Sequence, residues 1–246
     1  RMKIIGDYHT HTIYSHGKGT IRDNVEEAFK KGLKEIAICD HGPGHFTYGI
    51  KREDIKKMRK EIDELNKEFQ PKGLKILLGV EDNIIRYDGT IDVDDEIIEL
   101  LDILLLGYHF GAFPGTFKDG YKLYILNFLS KVIPKVRKNV MEMNTLALIK
   151  AMDRYPIDII THPGSKVYVD IRRLARKAKE KDIALEINSS HSHLTVEEIE
   201  LALEEDVYFY INSDAHSPEN VGNLENGIER ALKGKVPVDR IKNIVE

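Results

Sequence analysis

Residues 35–44 read EIAICDHGPG. A short apolar run, Ile36–Cys39, ends on Asp40 and His41, and Gly42-Pro43-Gly44 then turns the chain. A continuous apolar run of this length suits a strand covered on both faces, as in a parallel sheet. An aspartate and a histidine at its carboxyl end stand where parallel α/β folds place their chemistry. The fold therefore turns on whether the same pattern recurs.

It recurs along the whole chain. Strands are expected at Ile4–Tyr8, Glu35–Cys39, Leu74–Val80, Ile103–Gly107, Ile157–Thr161, Ile183–Ile187 and Val207–Asn212. Amphipathic helical patterns lie between them, at Arg22–Lys31, Glu53–Phe69, Asp94–Leu101, Asn144–Arg154, Asp170–Lys181, Thr195–Glu204 and Val221–Leu232. Thr195 followed by Glu198 is a capping box. Gly32 and Gly73 stand where helix ends need a left-handed residue. Strand–helix alternation repeated in this way calls for parallel strands joined by right-handed crossovers. An open doubly wound sheet would alternate too, but no Gly-rich phosphate loop follows any strand. One segment breaks the rhythm. Residues 113–143 form an insertion in which YKLYILNFLSKVIPKV has roughly helical apolar spacing, with Pro134 expected to kink or end the helix. It reads as an extra packed helix, with a lid or subunit contact as the sharper reading.

Composition narrows the function classes. The chain has 246 residues, 41% of them hydrophobic, which suits one domain over residues 1–246. A formal net charge of -4 provides no global field toward nucleic acid or an acidic membrane. No apolar run approaches the ~20 residues of a membrane span. A single cysteine and no visible signal peptide lead to the expectation of a reducing cytoplasm, with Arg1 an addition before a native Met2.

The imidazoles and carboxylates fall at the strand ends. His9 and His11 follow the first strand, and alternate residues on a strand share a side, so an H-x-H pair converges on one point. His16 lies in the loop beyond. Asp40 and His41 end the second strand, Glu81 the third, His109 the fourth, His162 the fifth, and Asp214 and His216 the seventh. Singly, each could be a cap or a solvated loop residue. Together they place too many polar groups at the ends of buried strands to lack a shared purpose. Imidazole and carboxylate donors without thiolates suit Zn, Mn or Fe. The donors exceed the three or four that one catalytic ion takes, so two or three divalent ions are expected, with Glu81 suited to bridge a pair. Clustered ions of this kind serve phosphoester hydrolysis.

These residues in this order resemble the PHP (polymerase and histidinol phosphatase) family of metal hydrolases. The resemblance rests on DYHTHT, CDHGPG, GVEDNI, GYHF, THPG, LEINSS and NSDAH, and spans nearly the whole chain. It is strongest toward stand-alone bacterial PHP phosphatases with a trinuclear site. The resemblance implies a distorted (β/α)7 TIM-like barrel. It assigns one ion to His9, His11, Glu81 and Asp214, a second to Glu81, His109 and His162, and a third to His16, His41 and His216. Asp40 is expected to orient His41 or to protonate the leaving group. Lys18, Arg172, Ser189, Ser190 and His191 are candidate substrate contacts, while His45 and His193 read as substrate-facing or solvated. The expected activity is hydrolysis of a small phosphorylated metabolite by a metal-activated hydroxide. Histidinol phosphate is one candidate substrate. Phosphodiesterase or exonuclease activity is a rival, and a non-catalytic metal-stabilised accessory domain a weaker one. No nucleic-acid or membrane partner is expected. The apolar insertion leaves a homo-oligomer open.

Overall fold

The computed structural model describes residues 2–246. Seven strands run β1 Gly6–Thr10, β2 Glu35–His41, β3 Lys75–Asn83, β4 Ile103–Gly107, β5 Ile159–Ile160, β6 Ala184–Asn188 and β7 Phe209–Asn212. They pair in sequence order, every neighbour parallel. The sheet curls until its first and last strands meet. There the His11 amide donates to the Ala215 carbonyl at 2.8 Å, and the Tyr8 amide to Asn212 Oδ1 at 3.0 Å. The fold is the α/β barrel expected, nearly closed. Lys3–Ile4 pairs antiparallel with Ile244–Val245 outside it.

Strand alternation divides the side chains. Ile36 and Ile38 of β2, and Ile76, Leu78 and Val80 of β3, join the large core between sheet and helices. Ala37, Cys39, Ile103, Leu105 and Ile159 turn inward with Tyr8 and fill the barrel interior. The same inward parity then carries His41 and Glu81 to the carboxyl end, where they pair in register. At β1 the ladder shifts register between Asp7 and Thr10. Such a shift resets the alternation, so Tyr8 can fill the interior while His9 and His11 still reach the cluster above it.

The helices are α1 Ile21–Lys30, α2 Arg52–Phe69, α3 Asp95–Ile98, α4 Phe117–Gly120, α5 Asn127–Val132, α6 Pro134–Arg154, α7 Ile171–Glu180, α8 Val196–Leu203 and α9 Glu225–Lys233. The Thr195–Glu198 capping box starts α8 as expected, and a second, Thr20–Asp23, starts α1. Gly32 and Gly73 take φ of 76° and 91°. As expected, the helical run ends just before Pro134, with α5 stopping at Val132 and Ile133 extended, but the next helix starts well before Asn144. The proline begins a 21-residue helix that runs on to Arg154. Its missing N–H costs nothing in a first turn, where no acceptor waits. The expected insertion thus comprises α4, a π-helical stretch at Tyr121–Leu126, α5 and the first half of α6. Among the described residues, no helix is long and apolar enough to cross a membrane.

Candidate metal centre

Glu81 is fully enclosed, and imidazoles approach both of its oxygens. Oε2 lies 3.1 Å from His9 Nε2, 3.4 Å from His11 Nε2 and 3.2 Å from His41 Nδ1. Oε1 lies 2.9 Å from both His109 Nε2 and His162 Nε2. Asp214 Oδ1 completes the first group, 3.4 Å from His9 Nε2 and 3.1 Å from His11 Nε2, and those two nitrogens are 3.1 Å apart. A tetrahedral site with bonds of about 2.0–2.1 Å has ligand-to-ligand edges of about 3.3 Å. The separations among His9, His11, Glu81 and Asp214 have that size. Two imidazole nitrogens this close, with carboxylates on both, form a donor set that fits a divalent ion.

A second group adjoins it. The donor atoms of His11, His41 and His216 lie within 4.8 Å of one another, as do those of His41, Glu81 and His109. Nδ1 of His11 is buried without a hydrogen-bond partner among the described residues, and Nδ1 of His41 has only the Glu81 oxygen at 3.2 Å, out of line for a hydrogen bond. An orphaned buried ring nitrogen is costly unless something accepts its lone pair or proton. His16, grouped by resemblance with His41 and His216, lies beside both, its ring centroid 4.8 Å and 4.3 Å from theirs. Its donor atoms do not join a compact trio as those of His11 do. His191, expected as a substrate contact, lines the cleft and also shares a donor cluster with His162 and Asp214, its Nε2 3.3 Å from Asp214 Oδ2.

Backbone strain helps place two of these side chains. His162 has φ of 27° and Asp214 of 54°. Strict alternation from the inward Ile159 would turn Thr161, not His162, toward the cluster. A left-handed residue breaks that parity, and strain of this kind persists only where the surroundings over-determine it.

Groups behind the cluster set its ring orientations, and sequence reading missed most of them. Glu186 Oε1 is 2.6 Å from His9 Nδ1, and its Oε2 accepts the His162 amide at 2.8 Å. Asn188 and Asn212 also donate to Glu186. Asn83 Oδ1 is 2.7 Å from His109 Nδ1, while Asn83 itself is clamped by Asp92 through its amide and its side chain. Each contact calls for a proton on Nδ1 and leaves Nε2 free to bind. The alternation that marked Glu81 could have found Glu186, since LEIN is a buried strand with one acid in it. Glu186→Gln is expected to weaken metal affinity or activity about 10–100-fold with the fold intact. Metal titration and kcat measurements check this, and unchanged values would remove the role.

Asp40 requires a correction. Its carboxylate accepts from the Thr12 amide and the Thr12 hydroxyl, both at 2.7 Å, and from Ser15 Oγ at 2.5 Å. It is fully buried and does not line the cleft, so it neither orients His41 by hydrogen bonding nor faces a leaving group. It pins the loop that carries His11 and His16.

Burial and charge split the titration of the cluster. Burial lowers His41 well below the usual imidazole range, and lowers His16 to about 4, with His216 and His11 adding repulsion. For His9, burial also favours the neutral ring, but Asp214, Glu81 and Glu186 overcome it and raise the pKa well above normal. His162 is raised as well, with burial opposing and Glu81 and Glu186 prevailing. A ring proton in the ion-free chain must leave when an ion takes its nitrogen. Ion binding near neutral pH is therefore expected to release about one proton or more per chain, falling as pH rises through the raised pKa values. Calorimetry in buffers of different ionisation enthalpy reads this. His16 has the opposite sign. Its folded pKa lies below its unfolded 6.5, so its contribution to stability is lost as pH falls from about 6.5 through about 4.

The cluster floors a cleft of about 270 Å³, whose walls include His45, Tyr48, Phe110 and Lys166. Lys166, on the loop after His162, is the lysine that sequence reading missed. THPGSK follows a strand end and could have marked it. The cations expected instead lie elsewhere. Arg172 is ion-paired with Glu204 and Glu205, and exposed Lys18 approaches only through its amide, which donates to the His216 carbonyl at 2.8 Å. Ser190 Oγ donates to the Ser213 carbonyl at 2.6 Å, and Ser189 is buried beside Gly227. Neither lines the cleft, because short side chains here are taken up by the packing of β6 against β7 and α9.

Comparison with known proteins accords with this geometry. The PHP domain pattern matches residues 7–190. A protein of Shewanella piezotolerans described as "Probable phosphatase" is 31% identical over 98% of this chain and 90% of its own length. Another so described, from Caldanaerobacter subterraneus, is 33% identical over 99% of this chain and 88% of its own. The DNA polymerase/3'-5' exonuclease PolX of Bacillus subtilis is 31% identical, but the match spans only 39% of that longer protein. Among solved structures, histidinol phosphate phosphatase of Lactococcus lactis, complexed with zinc, L-histidinol and phosphate, superposes with a TM-score of 0.60. It is 16% identical, covering 94% of this chain and 92% of its own, a likeness of fold. The chain belongs to the PHP domain family.

Proposed function

We propose that this chain is a phosphomonoesterase that holds two or three divalent ions, Zn, Mn or Fe, and acts on small phosphorylated molecules. Family membership makes it a hydrolase of phosphoric esters. The observation that carries the finer reading is the division of Glu81, with one oxygen toward His9, His11 and His41 and the other toward His109 and His162. A carboxylate shared in this way suits adjacent ions. When bound, such ions supply Lewis-acid stabilisation of phosphate oxygens and activation of water.

The chain's own residues do the rest. Glu186 and Asn83 keep protons on Nδ1 of His9 and His109, so both Nε2 atoms stay free. Lys166 offers a cation at the cleft wall for a phosphate oxygen. The floor is sealed from below by the barrel interior, which keeps bulk water away from all but the mouth. A cleft of about 270 Å³ suits a small ester better than a polymer strand. In the reaction, water adds its oxygen to phosphorus, the ester P–O bond breaks, and the alcohol leaves with a proton from water.

Phosphate release from phenyl phosphate, with Mn or Zn added, tests this reading against bis(4-nitrophenyl) phosphate as a diester. The monoester should be cleaved and the diester poorly. Lys166→Ala should raise KM about 10-fold, the value of one charge-assisted hydrogen bond in a partly open cleft. No release from any monoester with any of the three metals would end the proposal.

A further inference from the structure

The cleft has a wall of a different chemistry from its floor. Tyr48 and Phe110 line it, and His45, a neighbour of Tyr48, stacks on Phe46, which in turn meets Phe113. The tyrosine and the three phenylalanines are exposed, Phe46 by 64% and Phe113 by 67%. Isolated exposed rings are ordinary, but two exposed rings lining one cleft offer a contact surface to an apolar group.

The group is built rather than accidental. The loops after β2 and β4 are strapped together. The Phe46 amide donates to the Gly111 carbonyl at 2.9 Å, and the Phe113 amide to the Gly44 carbonyl at 2.7 Å. Gly111 takes φ of 140° and lies flat against the His45 ring, where a Cβ would stand 2.5 Å from Nε2. The segment 113–143 braces this strap from behind. Tyr124 Oη donates to the Ala112 carbonyl at 2.6 Å, and the Gly111 amide donates to Tyr124 Oη at 3.2 Å. Lys131 sits 5.0 Å from the centre of the Phe110 ring. Phe46 and Phe113 meet edge to face with centroids 6.3 Å apart, leaving their other faces open.

The polar side of the cleft is equally selective. Among the described residues, its carboxylates are Glu81 and Asp214, and both are engaged with imidazoles. No acid remains to pair with an ammonium group on the alcohol. No amide or hydroxyl side chain except Tyr48 lines the wall to recognise a row of sugar hydroxyls.

On the phosphomonoesterase reading, we infer that the substrate is the phosphate ester of a neutral alcohol carrying a flat, apolar ring, which packs against Tyr48 and Phe110 while its phosphate meets the buried cluster and Lys166. The insertion then has a task. It stiffens the loop that presents Phe110 and Phe113.

The test uses esters of primary alcohols, so that leaving-group reactivity is similar. The metal-loaded protein is assayed with 2-phenylethyl phosphate, glycerol 3-phosphate and histidinol phosphate. The expected kcat/KM for 2-phenylethyl phosphate exceeds that for either of the others about 10-fold or more, the scale of one well-packed ring contact. Phe110→Ala and Tyr48→Ala should each bring the phenylethyl-to-glycerol ratio toward one, and a ratio is insensitive to a general loss of active protein. The wild-type comparison stands even if a variant does not fold. Equal rates on all three esters, or preference for glycerol 3-phosphate or histidinol phosphate, overturn the inference and leave the phosphatase reading in place. No hydrolysis of any of them, nor of phenyl phosphate, overturns both.

Discussion

Glu81→Gln is expected to lower kcat for phosphate-ester hydrolysis on the order of 10³-fold and to leave the chain with fewer tightly held ions. The side chain keeps its shape, so the barrel should fold, as far-UV circular dichroism can show. What changes is charge. Glu81 is pulled well below the usual carboxylate range: burial pushes it up, but His9, His109 and His41 prevail. It is therefore an anion at working pH, and the imidazoles are arranged around that charge. Without it, the two donor sets lose the carboxylate that joins them, because an amide offers one oxygen where Glu81 offers two. The Lewis-acid contribution at stake is several kcal/mol, or about three factors of ten at 1.36 kcal/mol each. Metal content per folded chain, measured beside kcat, distinguishes a lost ion from a misplaced one. Full activity with full metal content in the variant would show that Glu81 is not at the reacting centre.

Removing the ions with a chelator is expected to lower the thermal midpoint by about 10 °C for each ion removed, and returning the metal should restore it. A ligand at about 1,000 times its Kd stabilises the folded state by about 4 kcal/mol, and a chain of this length shifts roughly 2–4 °C per kcal/mol. A rival account gives a different result. The ion-free cluster could satisfy itself as buried ion pairs, with a protonated His9 among Asp214, Glu81 and Glu186. In that case the chelator would hardly move the midpoint. The orphaned Nδ1 of His11 argues against a self-satisfied cluster. The measurement is a melting curve with and without chelator at one fixed pH, because His16 alone makes stability fall with acid below about 6.5.

The parallel strands were legible because runs buried on both faces leave a plain mark. Each reads as an apolar run of a few residues, and β4 came out at Ile103–Gly107 without adjustment. The helical pattern at Asn144–Arg154 covers only the second half of α6, and the proline that ends α5 also begins α6. A first turn tolerates it, and only the path of the chain shows that one residue does both. Most of the donors were legible as well, since an imidazole or carboxylate at the end of an apolar run is conspicuous. Glu186 was missed inside LEIN, although a lone acid on a buried strand is itself a local mark; what the strand does not tell is that the acid orients a ring. Lys18 and Arg172 were chosen as cations near motifs. The structure uses Arg172 in an ion pair with Glu204 and turns Lys166 to the cleft instead.

By itself, the sequence determined the alternation of buried parallel strands with helices and the set of imidazoles and carboxylates at the strands' carboxyl ends, because alternation and burial are local properties of each strand, while closure into a barrel entered only through the family resemblance. Only the tertiary structure decided which donors stand together. The register shift in β1 sends His9 and His11 up to Glu81, and left-handed turns at His162 and Asp214 bring those two across the barrel mouth. Partners such as His11 with His216 are some two hundred residues apart, so their pairing depends on barrel closure and not on any local spacing. The aromatic rim has the same origin. Phe46 and Phe113 become neighbours only when the loops after β2 and β4 are strapped edge to edge.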